Sequence, residues 1–164
     1  MSITIRKALL EDAYNYTDCF IACLQTAYKG IVSDDFLNNL SVEKEQRAEK
    51  FRKSLTNPEI DVYCVTFEKE MIGFLTTHKI DSEIWSIYLL EEFRGKGHGK
   101  VMLDFALESL QHIGHKKITL WVFEENIRAR RFYENNGLIF DGMKRDTTNY
   151  GKPLIQLRYT QILD

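Results

Sequence analysis

A short run of alternating glycines and basic residues constrains this chain more than any other feature. Residues 94–100 read Arg-Gly-Lys-Gly-His-Gly-Lys. They follow an apolar run over residues 84–90 that predicts a buried strand, and they precede residues 101–110, whose apolar spacing predicts a helix. Glycines let a backbone approach a phosphate closely, and a helix N-terminus offers unpaired N–H donors and partial positive charge. The arrangement therefore predicts a phosphate-binding loop.

The spacing of this loop excludes two better-known phosphate-binding motifs. A P-loop places Ser or Thr after its Gly-Lys pair to hold Mg²⁺, but Val101 follows Gly99-Lys100 here. A dinucleotide-binding loop reads Gly-x-Gly-x-x-Gly, whereas the third glycine here comes one residue early. What remains is the pattern Arg-x-x-Gly-x-Gly. A glycine-rich turn with solvated cations is the alternative interpretation.

A second segment favours the phosphate-binding interpretation. After a predicted strand at 117–122, residues 126–138 read Asn-Ile-Arg-Ala-Arg-Arg-Phe-Tyr-Glu-Asn-Asn-Gly-Leu. Together the two segments resemble the GNAT superfamily of acetyl-coenzyme A-dependent N-acyltransferases, whose pyrophosphate loop and following helix carry these patterns in this order. Only Leu138 departs from the helix pattern, where the family has an aromatic residue. The resemblance covers residues 60–164 well and the first third only in coarse pattern.

The resemblance implies the GNAT fold, an α/β (α+β) architecture. In that fold a mixed, mostly antiparallel, twisted sheet of seven strands carries about four helices on its two faces. The chain's own periodicity agrees, and its length suits one domain over residues 1–164. Strands are predicted at 2–6, 60–67, 71–78, 83–89, 117–123, 139–147 and 153–161. Helical segments are predicted at 10–28, 34–40, 42–55, 97–113 and 127–136.

The resemblance also implies acetyl-coenzyme A as co-substrate, with no metal. In the family the fourth strand carries a bulge and splays from the fifth, and pantetheine pairs with its backbone. Carried over, that role falls on Ile87, Tyr88 and Leu89, with the Leu89 N–H directed at the thioester carbonyl. The residues implied at the pyrophosphate are Arg94, Gly95, Lys96, Gly97, His98, Gly99 and Lys100.

Three residues of the second motif carry further implied roles. Tyr133 matches the family's tyrosine, whose hydroxyl approaches the coenzyme sulfur and can protonate the departing thiolate; the alternative is a core aromatic. Asn126 matches an asparagine that contacts pantetheine, and it also suits the N-cap of the helix beginning at Ile127. Arg130 is a candidate for the 3′-phosphate, or an ordinary solvated arginine.

The general base is predicted less directly. Glu83 stands at the start of the fourth strand, where several family members keep a catalytic glutamate. It is predicted to deprotonate the acceptor ammonium through water, although Asp81, Ser82 and Glu83 together also suit a polar strand entrance.

The resemblance implies an N-acetyltransferase in which a primary amine attacks the thioester directly within a ternary complex. Residues 28–36 and 146–152 are expected to form the acceptor wall, where Tyr28, Tyr150 and several acids suit a cationic small-molecule amine. A protein N-terminus or lysine is the alternative acceptor. A non-catalytic coenzyme A-binding regulatory module is a second alternative.

Composition bounds the partners and the compartment. The net charge of −2 provides no basic field for nucleic acid, and no apolar stretch approaches a membrane span. The N-terminus lacks the apolar core of a signal peptide, and three cysteines suggest free thiols. We therefore expect a cytoplasmic protein without nucleic-acid or membrane partners; a homodimer is compatible with the sequence. Cys19 and Cys23 are expected to serve packing.

Overall fold

A computed structural model describes residues 2–164 as one sheet flanked by helices. The strands are β1 (Thr4–Lys7), β2 (Ile60–Phe67), β3 (Glu70–His78), β4 (Glu83–Leu89), β5 (Lys117–Phe123), β6 (Ile139–Thr147) and β7 (Leu154–Ile162). The α-helices are α1 (Ala13–Ala27), α2 (Asp34–Val42), α3 (Lys44–Ser54), α4 (His98–His112) and α5 (Ile127–Asn135). Short 3₁₀ turns precede α1 at Leu10–Asp12 and follow β4 at Glu91–Phe93.

The seven strands form a single sheet in the order β1-β2-β3-β4-β5-β7-β6. Every neighbouring pair is antiparallel except β4 and β5, which run parallel. The crossover between those two strands is α4, the connection that a parallel pair requires. The predicted mixed, mostly antiparallel seven-stranded sheet is therefore confirmed.

Helices cover both faces of the sheet and divide the core in two. On one face the apolar side of α4, including Met102 and Leu103, packs against Ile118 and Leu120 of β5. On the other face α1 and α2 pack around Phe74 of β3, and α3 packs against α1. Side chains of a strand alternate between faces, so β4 and β5 supply residues to both layers.

The hairpin between β2 and β3 turns at Glu68 and Lys69. Both residues have positive φ, at 50° and 75°, which is the pattern of a type I′ turn. That turn suits the twist of the flanking strands but prefers Asn-Gly. Tertiary pairing of β2 with β3 therefore overrides the local preference of two ordinary residues.

The predicted elements appear close to their expected bounds. Residues 2–164 form five α-helices, whereas the resemblance implied about four. The helices α2 and α3, divided at Glu43, are the two separate segments predicted at 34–40 and 42–55. The region predicted as one helix from residue 10 begins with a 3₁₀ turn before α1. Within residues 2–164, no helix has the length and apolar character needed to cross a membrane.

Candidate active site

A slot opens in the middle of the sheet, between β4 and β5. The two strands pair only at Glu83 with Thr119 and at Ile84 with Leu120. The register of β4 against β3 shifts between Ile84 and Ser86, so Trp85 is the extra residue of a β-bulge. A bulge bends its strand and re-aims its groups. Beyond it β4 and β5 diverge, and a cavity of about 520 Å³ lies between them.

The glycine–cation loop closes one end of this cavity. Gly97 is the N-cap of α4 and has a left-handed φ of +86°, a conformation that residues with a Cβ rarely adopt. Gly97, Gly99 and Lys100 at the start of α4 line the cavity, and the first turn of a helix carries unpaired N–H groups. Among the residues that line the cavity, the charged ones are Arg94, Lys100 and Arg128. All three are cations, so this end is complementary to a polyanion.

Arg94 connects the loop to its surroundings. Its Nε donates to the Leu89 carbonyl at the end of β4 (2.9 Å), and one terminal nitrogen donates to Thr26 Oγ1 of α1 (2.7 Å). Burial, and then the nearby Arg128 charge, lower the pKa of Arg94 from its ordinary value. Arg94 thus holds β4, the loop and α1 together while adding its charge to the cavity wall.

The other predicted coenzyme contacts differ in where they lie. Ile87, Tyr88 and Leu89 line the cavity, as do Gly95, Gly97 and Gly99. Asn126 lines it too and also caps α5, because its Oδ1 accepts from the Ala129 N–H at 3.2 Å. Lys96 and His98 do not line the cavity: the Lys96 ammonium lies 5.5 Å from the Phe93 ring centroid, and His98 faces Phe67.

Arg130 lies away from the cavity. Its Nε donates to the Tyr159 hydroxyl (3.2 Å) and its Nη1 to the Glu124 carbonyl (2.9 Å). Arg128, two residues earlier on α5, lines the cavity instead. Sequence reasoning missed Arg128 because the two arginines lie 200° apart around a helix, and only the docking of α5 decides which one faces the slot.

Tyr133 of α5 lines the cavity. Its ring packs against Phe132 and Tyr159, with centroids 5.3 and 6.3 Å away. The hydroxyl has no hydrogen-bond partner among residues 2–164, and burial raises the pKa of Tyr133 to about 12. A protonated phenol without a protein partner is therefore available to a group that enters the cavity.

Glu83 stands at the root of the slot, where β4 and β5 still pair. Ile84 belongs to the core under α4, so alternation directs Glu83 to the other face of the sheet. Burial raises the pKa of this half-buried carboxyl, an effect that the positive charge of Arg145 opposes. The carboxyl is thus available to accept a proton from the face opposite α4.

Aromatic rings close the same face beside the slot. Tyr28 contacts Tyr88, Phe123 and Tyr150 edge-on, with ring centroids 5.0–6.3 Å apart. Phe36 of α2 packs against Tyr150 at 5.2 Å. The segments predicted as an acceptor wall, 28–36 and 146–152, are therefore brought together, with Tyr88 and Phe123 added by the strands.

Comparison with known proteins agrees with this geometry. The model of the Acetyltransferase (GNAT) family matches residues 26–138, which include the loop, α4 and α5. The chain belongs to the GNAT family. It is thus an N-acetyltransferase, and the predicted recognition is confirmed.

Curated relatives are named N-acetyltransferases. An uncharacterized N-acetyltransferase of Bacillus subtilis, YuaI, is 31% identical over 132 residues, covering 76% of this chain and 73% of the relative. A spermidine N(1)-acetyltransferase of Thermoplasma acidophilum is 28% identical over 142 residues, covering 84% and 88% of the two chains.

Solved structures share the GNAT fold along the whole length. The PaiA N-acetyltransferase of Thermoplasma acidophilum, crystallised with coenzyme A, superposes with a TM-score of 0.78 at 24% identity and covers 99% of both chains. The structure of YncA from Salmonella typhimurium, solved with acetyl-CoA, gives a TM-score of 0.73 at 16% identity, covering 100% of this chain and 95% of the other. These likenesses confirm the fold.

Proposed function

We propose that this GNAT protein transfers the acetyl group of acetyl-coenzyme A to the primary amine of a small molecule, by direct attack within a ternary complex. The observation that carries the proposal is the slot between β4 and β5. Its loop end is lined by three cations and the start of α4, and its walls are largely apolar. A polyphosphate at one end and an extended, mostly apolar arm along the slot fit that division.

The coenzyme would lie with its phosphates at the α4 N-terminus and its pantetheine along β4. Bulged β4 leaves its outer half unpaired with β5, so the backbone groups of Ile87 and the N–H of Leu89 have no partner in β5, while the Leu89 carbonyl accepts from Arg94. We assign the Leu89 N–H to the thioester carbonyl, where it would stabilise the oxyanion of the tetrahedral intermediate. Asn126 and Arg128 would contact the coenzyme from α5.

Proton transfer would use two residues on opposite sides of the reacting carbon. A primary amine near pKa 10 is almost wholly protonated at neutral pH, so a proton must leave before attack. Glu83, acting through water, would accept it. The attacking nitrogen then forms a bond to the acetyl carbon, and the carbon–sulfur bond breaks. Tyr133 would donate its proton, or a hydrogen bond, to the departing thiolate, and the second proton that the nitrogen loses as the amide forms would restore the phenol through solvent.

Two observations support a small acceptor. The loop after β6 docks onto the start of α2, where the Ser33 N–H donates to the Tyr150 carbonyl at 3.1 Å. With Tyr28 and Phe36 this loop walls off the acceptor side of the slot. A relative 28% identical is named for its action on spermidine, a small amine.

The decisive experiment measures turnover of acetyl-coenzyme A with a panel of small amines, amino acids, polyamines and peptides. We expect acetylation of small primary amines, identified by mass spectrometry of the product. Acetylation of peptides alone would assign the site to protein N-termini or lysines. Coenzyme A binding without turnover of any member would identify a regulatory module and overturn the proposed activity.

A further inference from the structure

An arginine without an ion-pair partner among residues 2–164 stands over the acceptor side of the slot. The Arg145 guanidinium stacks on the Trp121 ring, with its carbon 4.1 Å from the ring centroid. Its Nε donates to Gln156 Oε1 at 2.7 Å. Trp121 and Gln156 both line the cavity. These two contacts fix the plane of the guanidinium at the rim of the slot, on the face opposite α4.

The terminal nitrogens of Arg145 remain free for a ligand. Among residues 2–164, no carboxylate lies within ion-pair distance of Arg145, and neither terminal nitrogen has a hydrogen-bond partner. Its cationic neighbours on β6 and β7 are neutralised: Arg158 pairs with Asp141 (2.7 Å) and Lys144 with Glu124 (2.9 Å).

The carboxylates nearby do not compensate this charge. Glu59 and Asp81 lie within 3.3 Å of the His78 ring nitrogens. Asp146 pairs with Ile155 while Arg145 pairs with Gln156, so alternation along β6 directs Asp146 to the other face. Glu83, on the same face as Arg145, sits near enough for Arg145 to affect its proton affinity.

We infer that the acceptor carries a carboxylate beside its amine, and that Arg145 binds this carboxylate. The inference deepens the proposed function and rests on it. A guanidinium with two free, coplanar N–H groups matches a carboxylate in a bidentate geometry. Glu83 and Arg145 then bracket a zwitterion, with the ammonium toward Glu83 and the carboxylate at the rim. The acceptor class is therefore amino acids and their compact analogues, and an uncompensated arginine disfavours polyamines.

Paired acceptors test this assignment. The value of kcat/KM is measured for phenylalanine against phenethylamine, methionine against 3-(methylthio)propylamine, and lysine against cadaverine, in the wild type and in Arg145→Gln. For each pair, the change in kcat/KM from wild type to Arg145→Gln for the carboxylate is divided by the same change for its decarboxylated partner. This double ratio cancels the intrinsic reactivity of each amine. We expect Arg145→Gln to lower kcat/KM for the carboxylates about 10- to 100-fold, mainly through KM, and to change it less than about threefold for the decarboxylated partners.

Arg158→Gln is the matched control, because Arg158 lies on the same face beside Trp121 but is paired with Asp141. It should leave the ratio of carboxylate to decarboxylated amine unchanged. Circular dichroism confirms folding of both variants, and Arg145→Lys should recover part of the loss by restoring the charge without the planar fork.

Two results would overturn the inference. If the wild type prefers spermidine or the decarboxylated amines, and Arg145→Gln leaves every ratio unchanged, the acceptor carries no carboxylate while the proposed acetyl transfer stands. If no acceptor is turned over, the proposed function fails. Calorimetry then measures whether the coenzyme A-saturated protein binds the same amino acids, and this binding decides whether the carboxylate site exists. Binding weakened by Arg145→Gln then supports the carboxylate site, and absence of binding refutes it.

Discussion

Replacing Tyr133 by Phe separates a catalytic hydroxyl from a packed ring. The variant keeps the ring contacts with Phe132 and Tyr159 and removes only the oxygen. That oxygen has no partner among residues 2–164, so its loss orphans no protein group. We therefore expect the free energy of unfolding to change by less than about 0.5 kcal/mol.

The expected effect on catalysis is large. With its pKa at about 12, the Tyr133 phenol is ionised in only about one molecule in ten thousand at pH 8, so the donor is present at every working pH. Loss of a positioned acid lowers kcat about 10- to 1000-fold. Affinity for coenzyme A should stay within about twofold. Thiol release measures kcat, and solvent-viscosity dependence shows whether chemistry limits the rate.

Tyr159→Phe is the matched control for this variant. The Tyr159 hydroxyl donates to Glu134 at 2.6 Å and accepts from Arg130 at 3.2 Å, outside the cavity. Its removal should cost about 1–3 kcal/mol of unfolding free energy, read from urea denaturation, with kcat within about twofold. Wild-type kcat in Tyr133→Phe, with chemistry shown to be rate-limiting, would refute the catalytic role and leave Tyr133 as packing.

Three further predictions follow from other parts of the structure. Burial raises the pKa of Glu83 and the base acts when ionised, so kcat/KM should fall as pH drops through that raised pKa. Glu83→Gln should abolish this acidic limb of the pH profile of kcat/KM. An unaltered pH profile in the variant would assign the base elsewhere. Gly97→Glu should weaken coenzyme A binding in calorimetry at least tenfold by placing a carboxylate at the α4 N-terminus, whereas Gly114→Glu, equally left-handed but at the far end of α4, should not; equal affinities would exclude the loop. Changing Glu68-Lys69 to Asn-Gly should raise the free energy of unfolding by about 1 kcal/mol and the Tm by about 2–4 °C, since the turn needs two positive φ angles; an unchanged Tm would show that the strands fully absorb the strain.

Much of this protein could be predicted from local sequence. The loop at residues 94–100 and the helix motif at residues 126–138 are each one continuous stretch of sequence. Their residue types and spacing therefore suffice to predict a phosphate-binding helix start and membership of the family. Apolar runs and the alternation of apolar with polar residues likewise predicted all seven strands, because burial of one sheet face imposes a period of two. The bounds of β4 and α4 differ from expectation by at most two residues.

What lies across the slot needed the tertiary structure. Arg128 and Arg130 are the same residue type and lie two positions apart in the sequence. Only the docking of α5 turns Arg128 into the cavity and Arg130 toward Tyr159. Arg145 lies on β6, at the sheet edge, and its side chain reaches across the intervening β7 to stack on Trp121 of β5. A stack between residues 24 positions apart depends on strand order, which no local pattern encodes.

The sequence by itself thus determined the elements, the family and the end of the slot that suits phosphate, since these depend on neighbouring residues. The tertiary structure decided the acceptor side. There the reach of Arg145, the environment of Glu83 and the closure by Tyr28 and Tyr150 arise from segments far apart in the chain. Charge and burial at such a place depend on which strands become neighbours, so they exist only once the sheet has formed.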